Sequence, residues 1–288
     1  MIPLYLSIFS STIIFVLFKL FKKYQIDTFQ AIVFNYFTAA ICGIGLYHEE
    51  WSSKAMESPS WIPFVFISAA LFIGLFFLMG KSTQENGVAS TSIAVKMSMA
   101  ISLLLIIIAY SEKLTLLKVL GICMAFIGVY LVSINSQKNK INSNSKWMLV
   151  FLFFGSGTLD FTLNYVQNNE LNHLSSSLFS AFGLGLAGVF GSVILLINVF
   201  RGKAKIKLQN IIAGIVLGIP NYFSIYLLML SYHSTGWDDS TVLAVTNVGV
   251  VLLSAIIGFT FFKENATKRK IFGLAAAIIS ILILSISN

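Results

Sequence analysis

Two charged side chains stand where charge is costly. Lys96 and Asp160 each lie well inside a long apolar stretch and carry opposite signs, whereas the other charged residues fall in or beside polar breaks. A charge at the centre of a membrane span costs about 2.5–3.5 kcal/mol on insertion scales. Such a pair can neutralise itself as a buried ion pair that fixes helix packing. Alternatively, one or both groups face a water-filled cavity and handle a substrate or a coupling proton. An ammonium beside a carboxylate suits a zwitterion, its carboxylate on Lys96 and its amine on Asp160. Lys96 alone would hold an anionic metabolite. An aspartate alternately paired with lysine and exposed to water would carry a proton.

Uncharged polar residues extend this candidate site. Ser92 precedes Lys96 by one helical turn and shares its face. Thr158 and Asn164 flank Asp160. Asn35 and Tyr36 sit in the second apolar stretch, and Asn247 in the ninth. Each alone more often supplies a helix–helix hydrogen bond worth about 0.6 kcal/mol than a ligand contact. Pro220 and Asn221 fall in the middle of the eighth stretch. Proline removes one backbone hydrogen bond and frees the carbonyl near Val216, which predicts a kink or a discontinuous helix there. Tyr222 and Tyr226 follow and could stack on a ring-bearing substrate or simply pack.

These residues need apolar elements to hold them. The 288-residue chain is 57% hydrophobic and only 10% charged, against about a quarter charged in ordinary soluble domains. That excludes a soluble enzyme, a disordered chain and a nucleic-acid binder. Ten apolar stretches recur: Ile2–Phe18, Gln30–Tyr47, Trp61–Gly80, Val88–Tyr110, Leu117–Ile134, Trp147–Tyr165, Leu178–Phe200, Ile211–Tyr232, Ser240–Phe262 and Ile271–Ile286. Most have the roughly 17–25 residues that cross a bilayer core. None alternates as a strand would, and a span must satisfy its own backbone, so all ten are expected to be helices. At about 1.5 Å per residue, Lys96 lies roughly 12 Å and Asp160 roughly 20 Å from the same side. A lysine stem spans that offset if the fourth and sixth helices are neighbours.

The tryptophans Trp51, Trp61, Trp147 and Trp237 fall in breaks or at span ends, where a headgroup position is expected. The first stretch has no basic run before it and no cleavage pattern after it, so it reads as a retained helix. Cys42 and Cys123 lie inside spans, which argues against a disulfide framework. Gly183, Ala187 and Gly191, and likewise Gly214 and Gly218, have the four-residue spacing that lets helices approach closely. His48, His173 and His233 have no metal-ligand spacing, and no metal or cofactor is implied. Alternating the breaks between two sides puts fifteen Lys or Arg on one side and three (Lys54, Lys113 and Lys118) on the other. The basic side is then cytoplasmic and both termini lie outside, in a multi-pass protein of the plasma membrane.

Shifted by 152 residues, Val88–Ile134 aligns without a gap onto Ser240–Ile286, with nine identities in 47 positions. Glu112/Glu264, Thr115/Thr267, Lys118/Lys270 and Gly121/Gly273 are among them. The glutamates are expected to be solvated or capping, and the threonines to be N-caps of the next helices. Two five-helix repeats follow, residues 1–136 and 146–288, with a linker at 137–145. An odd number of spans per half inverts the second copy, a construction of secondary transporters.

The segments Tyr110-Ser-Glu-Lys-Leu-Thr115…Gly121 and Phe262-Lys-Glu-Asn-Ala-Thr267…Gly273 resemble a repeated motif of the drug/metabolite transporter superfamily, in its ten-helix EamA-like branch. That resemblance implies an all-α membrane protein and a carrier of small organic solutes by alternating access, with the central helices of each half lining the path. Many members of that family have cytoplasmic ends, and the charge count here says the reverse. A membrane-embedded enzyme is the alternative, but the chain has one embedded aspartate and no H-E-x-x-H motif. A channel would show rings of pore-lining charge or carbonyl filters. The expected partners are a small-molecule substrate and the lipid bilayer, not nucleic acid, and a homodimer is compatible with the reading.

Overall fold

A computed structural model describes residues 1–45, 60–110, 115–133, 144–169, 176–235 and 239–286. Trp51, Trp237, Glu112, Lys54, Lys113, His48, His173 and most of the linker fall outside these residues. Among the described residues the secondary structure is helical: α1 (Ile2–Lys23), α2 (Thr28–Gly45), α3 (Ile62–Asn86), α4 (Val88–Met97), α5 (Met99–Tyr110), α6 (Leu116–Ser133), α7 (Asn144–Asn169), α8 (Ser176–Phe200), α9 (Leu208–Ser234), α10 (Asp239–Thr260) and α11 (Lys268–Ile286). Ser98 alone separates α4 from α5, which are two halves of the expected fourth span, so ten helices correspond to the ten stretches. Six are long and apolar enough to cross a membrane, including the joined Val88–Ala109. The helix that carries Asp160, α7, is not among the six.

Local chemistry sets the ends. Pro3 and Pro63 sit in the first turns of α1 and α3, where their missing N–H would be unpaired anyway. Gly87, at φ +99°, stops α3 and lets α4 start at once. Thr115 Oγ1 accepts from Lys118 N at 3.3 Å and Thr267 Oγ1 from Lys270 N at 3.4 Å, so both threonines are N-caps as expected. Cys42 and Cys123 are free thiols.

Close packing follows the small residues. An added Cβ on Gly214 would lie 2.6 Å from Ala31 O, and one on Gly218 2.7 Å from Asn35 O, so α9 presses directly on the α2 backbone. On α8, Gly183 faces Phe72 and Ser68, and Gly191 faces Val33 and Ile73. One apolar cluster draws mainly on α1, α2, α3, α8 and α9. A second draws on α4, α5, α6, α10 and α11. Helix α7 contributes Leu152 to the first and Phe153 to the second, which places it along their seam.

One expectation is corrected. Helix α9 is one helical element through Pro220, so the discontinuous alternative is not met; a membrane helix can re-satisfy the freed carbonyl by local adjustment. The interruption is instead at Ser98. Trp61 caps the start of α3, at a span end as expected, and there it is buried and stacks on Phe182, with ring centroids 6.0 Å apart and planes at 14°. Trp147 is exposed, as expected.

Candidate functional site at the interrupted fourth span

Helix α7 reaches the fourth span because Gly157 has no side chain. A Cβ there would lie 2.7 Å from Ser98 O and 2.5 Å from Ile101 Cβ. One turn on, Asp160 Oδ2 is 3.2 Å from Ser98 Oγ. The fourth and sixth spans are therefore neighbours, the condition the Lys96–Asp160 pairing required. Lys96 is half-buried and Asp160 is exposed, although Asp160 meets a residue of another span. Lys96 acts on Asp160 through its charge, yet the ion pair found within 4 Å among the described residues is Lys19–Glu264. The two charges share a neighbourhood without forming a closed bridge.

Asn247 on α10 points its Nδ2 at Met99 Sδ, 3.6 Å away and one residue beyond Ser98. Lys96, Ser98, Met99, Asp160 and Asn247 consequently converge from three spans. Ser92 is buried and its Oγ donates to Ala89 O at 3.0 Å, which satisfies it within its own helix. Thr158 similarly donates back to Phe154 O at 3.0 Å. The side chain of Asn164 lies outside the described residues.

The remaining candidates form a separate group in the first cluster. Asn221 Nδ2 donates to Asn35 Oδ1 at 3.1 Å, joining α9 to α2. The seam continues as Ser224 Oγ donates to Asn221 O at 2.8 Å and Ser7 Oγ to Ser224 O at 3.0 Å. Asn35 Nδ2 is buried without a protein partner. Tyr36 is fully buried and its hydroxyl donates to Phe72 O, so it braces α2 against α3. Tyr222 is buried over Gly43, and the more exposed Tyr226 stacks on it at 5.7 Å and 14°. Among the described candidates, Lys96, Asp160 and Asn247 thus form one group, and Asn35, Tyr36, Asn221, Tyr222 and Tyr226 an amide–tyrosine seam.

Sequence reading missed two participants. Ser98 was hidden as one more small residue in an apolar run. Its signal was position, two residues after Lys96. Glu264 was expected to be solvated or capping; it is buried, and it caps a helix of the opposite half. Its Oε1 accepts from Val88 N at 2.7 Å, the start of α4, and lies 3.3 Å from Lys19 Nζ. Lys19 also donates to Thr83 O at 3.4 Å. A carboxylate at a helix N-terminus meets unpaired N–H groups and the positive end of the dipole. That contact joins positions 176 residues apart, which no local pattern reveals.

Comparison with known proteins agrees with this architecture. The chain is similar to an uncharacterized protein of Haemophilus influenzae, 26% identical over 289 residues, covering 96% of this chain and 95% of that one. It is also similar to a probable glucose uptake protein, GlcU, of Priestia megaterium, 25% identical over 260 residues, covering 85% of this chain and 84% of the other. A protein of known crystal structure has the same fold at a TM-score of 0.57, with 9% identity and 98% of each chain covered. The apolar helices and the family match make this a multi-pass membrane protein. Residues 1–134 match the model of the EamA-like transporter family.

Proposed function

We propose that the protein is a secondary active transporter that moves a small organic metabolite across the plasma membrane by alternating access. The observation that carries this reading is a lysine and an aspartic side chain at mid-span on neighbouring helices, with no ion pair between them and Asp160 exposed. A purely structural pair would close to exclude water, since an open one leaves the desolvation cost uncompensated. Lys96 and Asp160 are the groups we assign to the substrate, with Asn247 and Ser98 beside them. The pair suits an amino-acid-like zwitterion, and proton coupling would run through Asp160. The similarity to a probable glucose uptake protein supports a second reading, an uncharged sugar held by Asp160 and Asn247.

Several features support two inverted repeats. Shifting by 152 residues relates Gly128 to Ser280 and Gly121 to Gly273. A Cβ on Gly128 would lie 3.3 Å from Gly273 O, and Ser280 Oγ donates to Gly121 O at 2.6 Å, so related residues make related contacts between α6 and α11. Exchanging the halves also carries the α1–α9 packing onto α7–α3, and α2–α9 onto α8–α3. Helix pairs that swap in this way suit rocking of one half against the other. The basic breaks are assigned to the cytoplasm and both termini to the outside.

Asp160→Asn is expected to abolish proton-driven uptake or efflux in proteoliposomes while leaving the protein folded. Full retention of gradient-driven transport would remove Asp160 from the coupling role. Hydrolytic or other covalent turnover of a solute, without its translocation, would favour the enzyme class.

A further inference from the structure

Ser98 has more partners than protons. Its Oγ lies 2.6 Å from Val95 O and 3.2 Å from Asp160 Oδ2. A hydroxyl has one proton, and a carbonyl oxygen can only accept. The short contact to Val95 O is therefore a donation, and it uses that proton. The contact to Asp160 is then a hydrogen bond only when the carboxylic acid donates to Ser98 Oγ. A protonated Asp160 satisfies both contacts, whereas a carboxylate leaves two acceptors competing for one O–H. The position of Lys96 agrees, because a nearby free carboxylate would draw the ammonium into contact and the structure shows no such bridge.

The second partner of Ser98 matters to the backbone. In an unbroken helix Val95 O would accept from the N–H of Met99, four residues on. Here α4 ends at Met97, α5 begins at Met99, and Ser98 stands between them. A serine that bonds back into its own helix competes with the ladder and bends it. Where this one proton points thus bears directly on the interruption.

We propose that the Ser98 hydroxyl couples the proton on Asp160 to the shape of the fourth span. With Asp160 protonated, the acid donates to Ser98, Ser98 donates to Val95 O, and the span stays interrupted. When the exposed Asp160 releases its proton to water, Ser98 turns its O–H to the carboxylate. Val95 O then returns to the Met99 N–H, α4 and α5 join, and Lys96 closes on Asp160. Reprotonation from water reverses each step. Ser98 is a positioning residue in this scheme, and the scheme rests on the transport reading only in taking Asp160 as the proton carrier. The charged and titratable residues on helices packed against α7 are Lys81 and Glu85 on α3, Lys96 on α4, Tyr110 on α5, and Lys118, Cys123 and Tyr130 on α6. Lys146 and Tyr165 are on α7 itself. Of these, Lys96 is the one whose charge acts on Asp160 among the described residues.

The test uses full-length protein in lipid nanodiscs and needs no substrate. Infrared difference spectra over a pH titration follow the protonated carboxyl band, assigned by its loss in Asp160→Asn. Amide hydrogen exchange at Met97–Ala100 follows the backbone over the same titration. The expected result is an exchange change of about tenfold, the worth of one hydrogen bond, that tracks the carboxyl titration. Ser98→Ala should keep the carboxyl titration and lose the linked exchange change, and Ser98→Thr should restore it. An exchange change that persists in Ser98→Ala would overturn the coupling while leaving the transport reading intact. A carboxyl band that does not titrate would remove Asp160 as proton carrier and this scheme with it.

Discussion

At Gly87 the chain has φ +99°, and a Cβ built there would lie 2.4 Å from Glu264 Oε2. Both facts exclude a side chain, so this glycine is what lets Glu264 reach the start of α4. Gly87→Ala should therefore lower stability by about 1–3 kcal/mol through backbone strain and loss of the cap. Gly74→Ala is the matched control, since nothing lies within 4 Å of its added Cβ. Thermal unfolding in detergent compares them, and equal midpoints would mean that the Glu264 contact contributes nothing. The charged pair was legible at this scale because a charge inside an apolar run is conspicuous. Ser98 and Glu264 were not, because their importance comes from partners 62 and 176 residues away.

At the scale of elements, the sequence located nearly every helix and misplaced the interruption. Apolar length determines where a span can be, and that is a local property. Whether a span stays continuous depends on its neighbours. Pro220 breaks no element, and α9 packs closely along α2 through Gly214 and Gly218 on its N-terminal side. The fourth span is interrupted at Ser98, whose hydroxyl bonds back to Val95 O and meets Asp160 of another helix. Trp61 belongs to the same lesson, since only the packing of α3 against α8 reveals Phe182 beneath it. Gly214→Val tests the close approach. Its Cβ would meet Phe34 Cβ at 2.5 Å, so overpacking should cost about 1–3 kcal/mol. Gly185→Val, whose Cβ meets only Ala40 Cβ at 3.6 Å, should cost less. Similar melting midpoints for the two variants would contradict the packing described for α2 and α9.

Across the whole molecule, the 10% of residues that are charged divide into a surface set and an embedded pair. The surface set makes an orientation claim that is open to direct test. A cysteine introduced at Lys203, in a Cys42→Ala, Cys123→Ala background, should react with an impermeant maleimide only after the cells are permeabilised. Labelling in intact cells would reverse the assignment of the basic side. The embedded pair makes the functional claim. Its most direct test is the thermal midpoint of purified protein against a panel of amino acids, carboxylates and sugars, repeated on Lys96→Ala and Asp160→Asn. A solute bound at this site should raise the midpoint of the wild type, as any ligand of the native state does, and should lose that effect in both variants. Stabilisation that survives in both variants would place the binding site elsewhere and contradict the account.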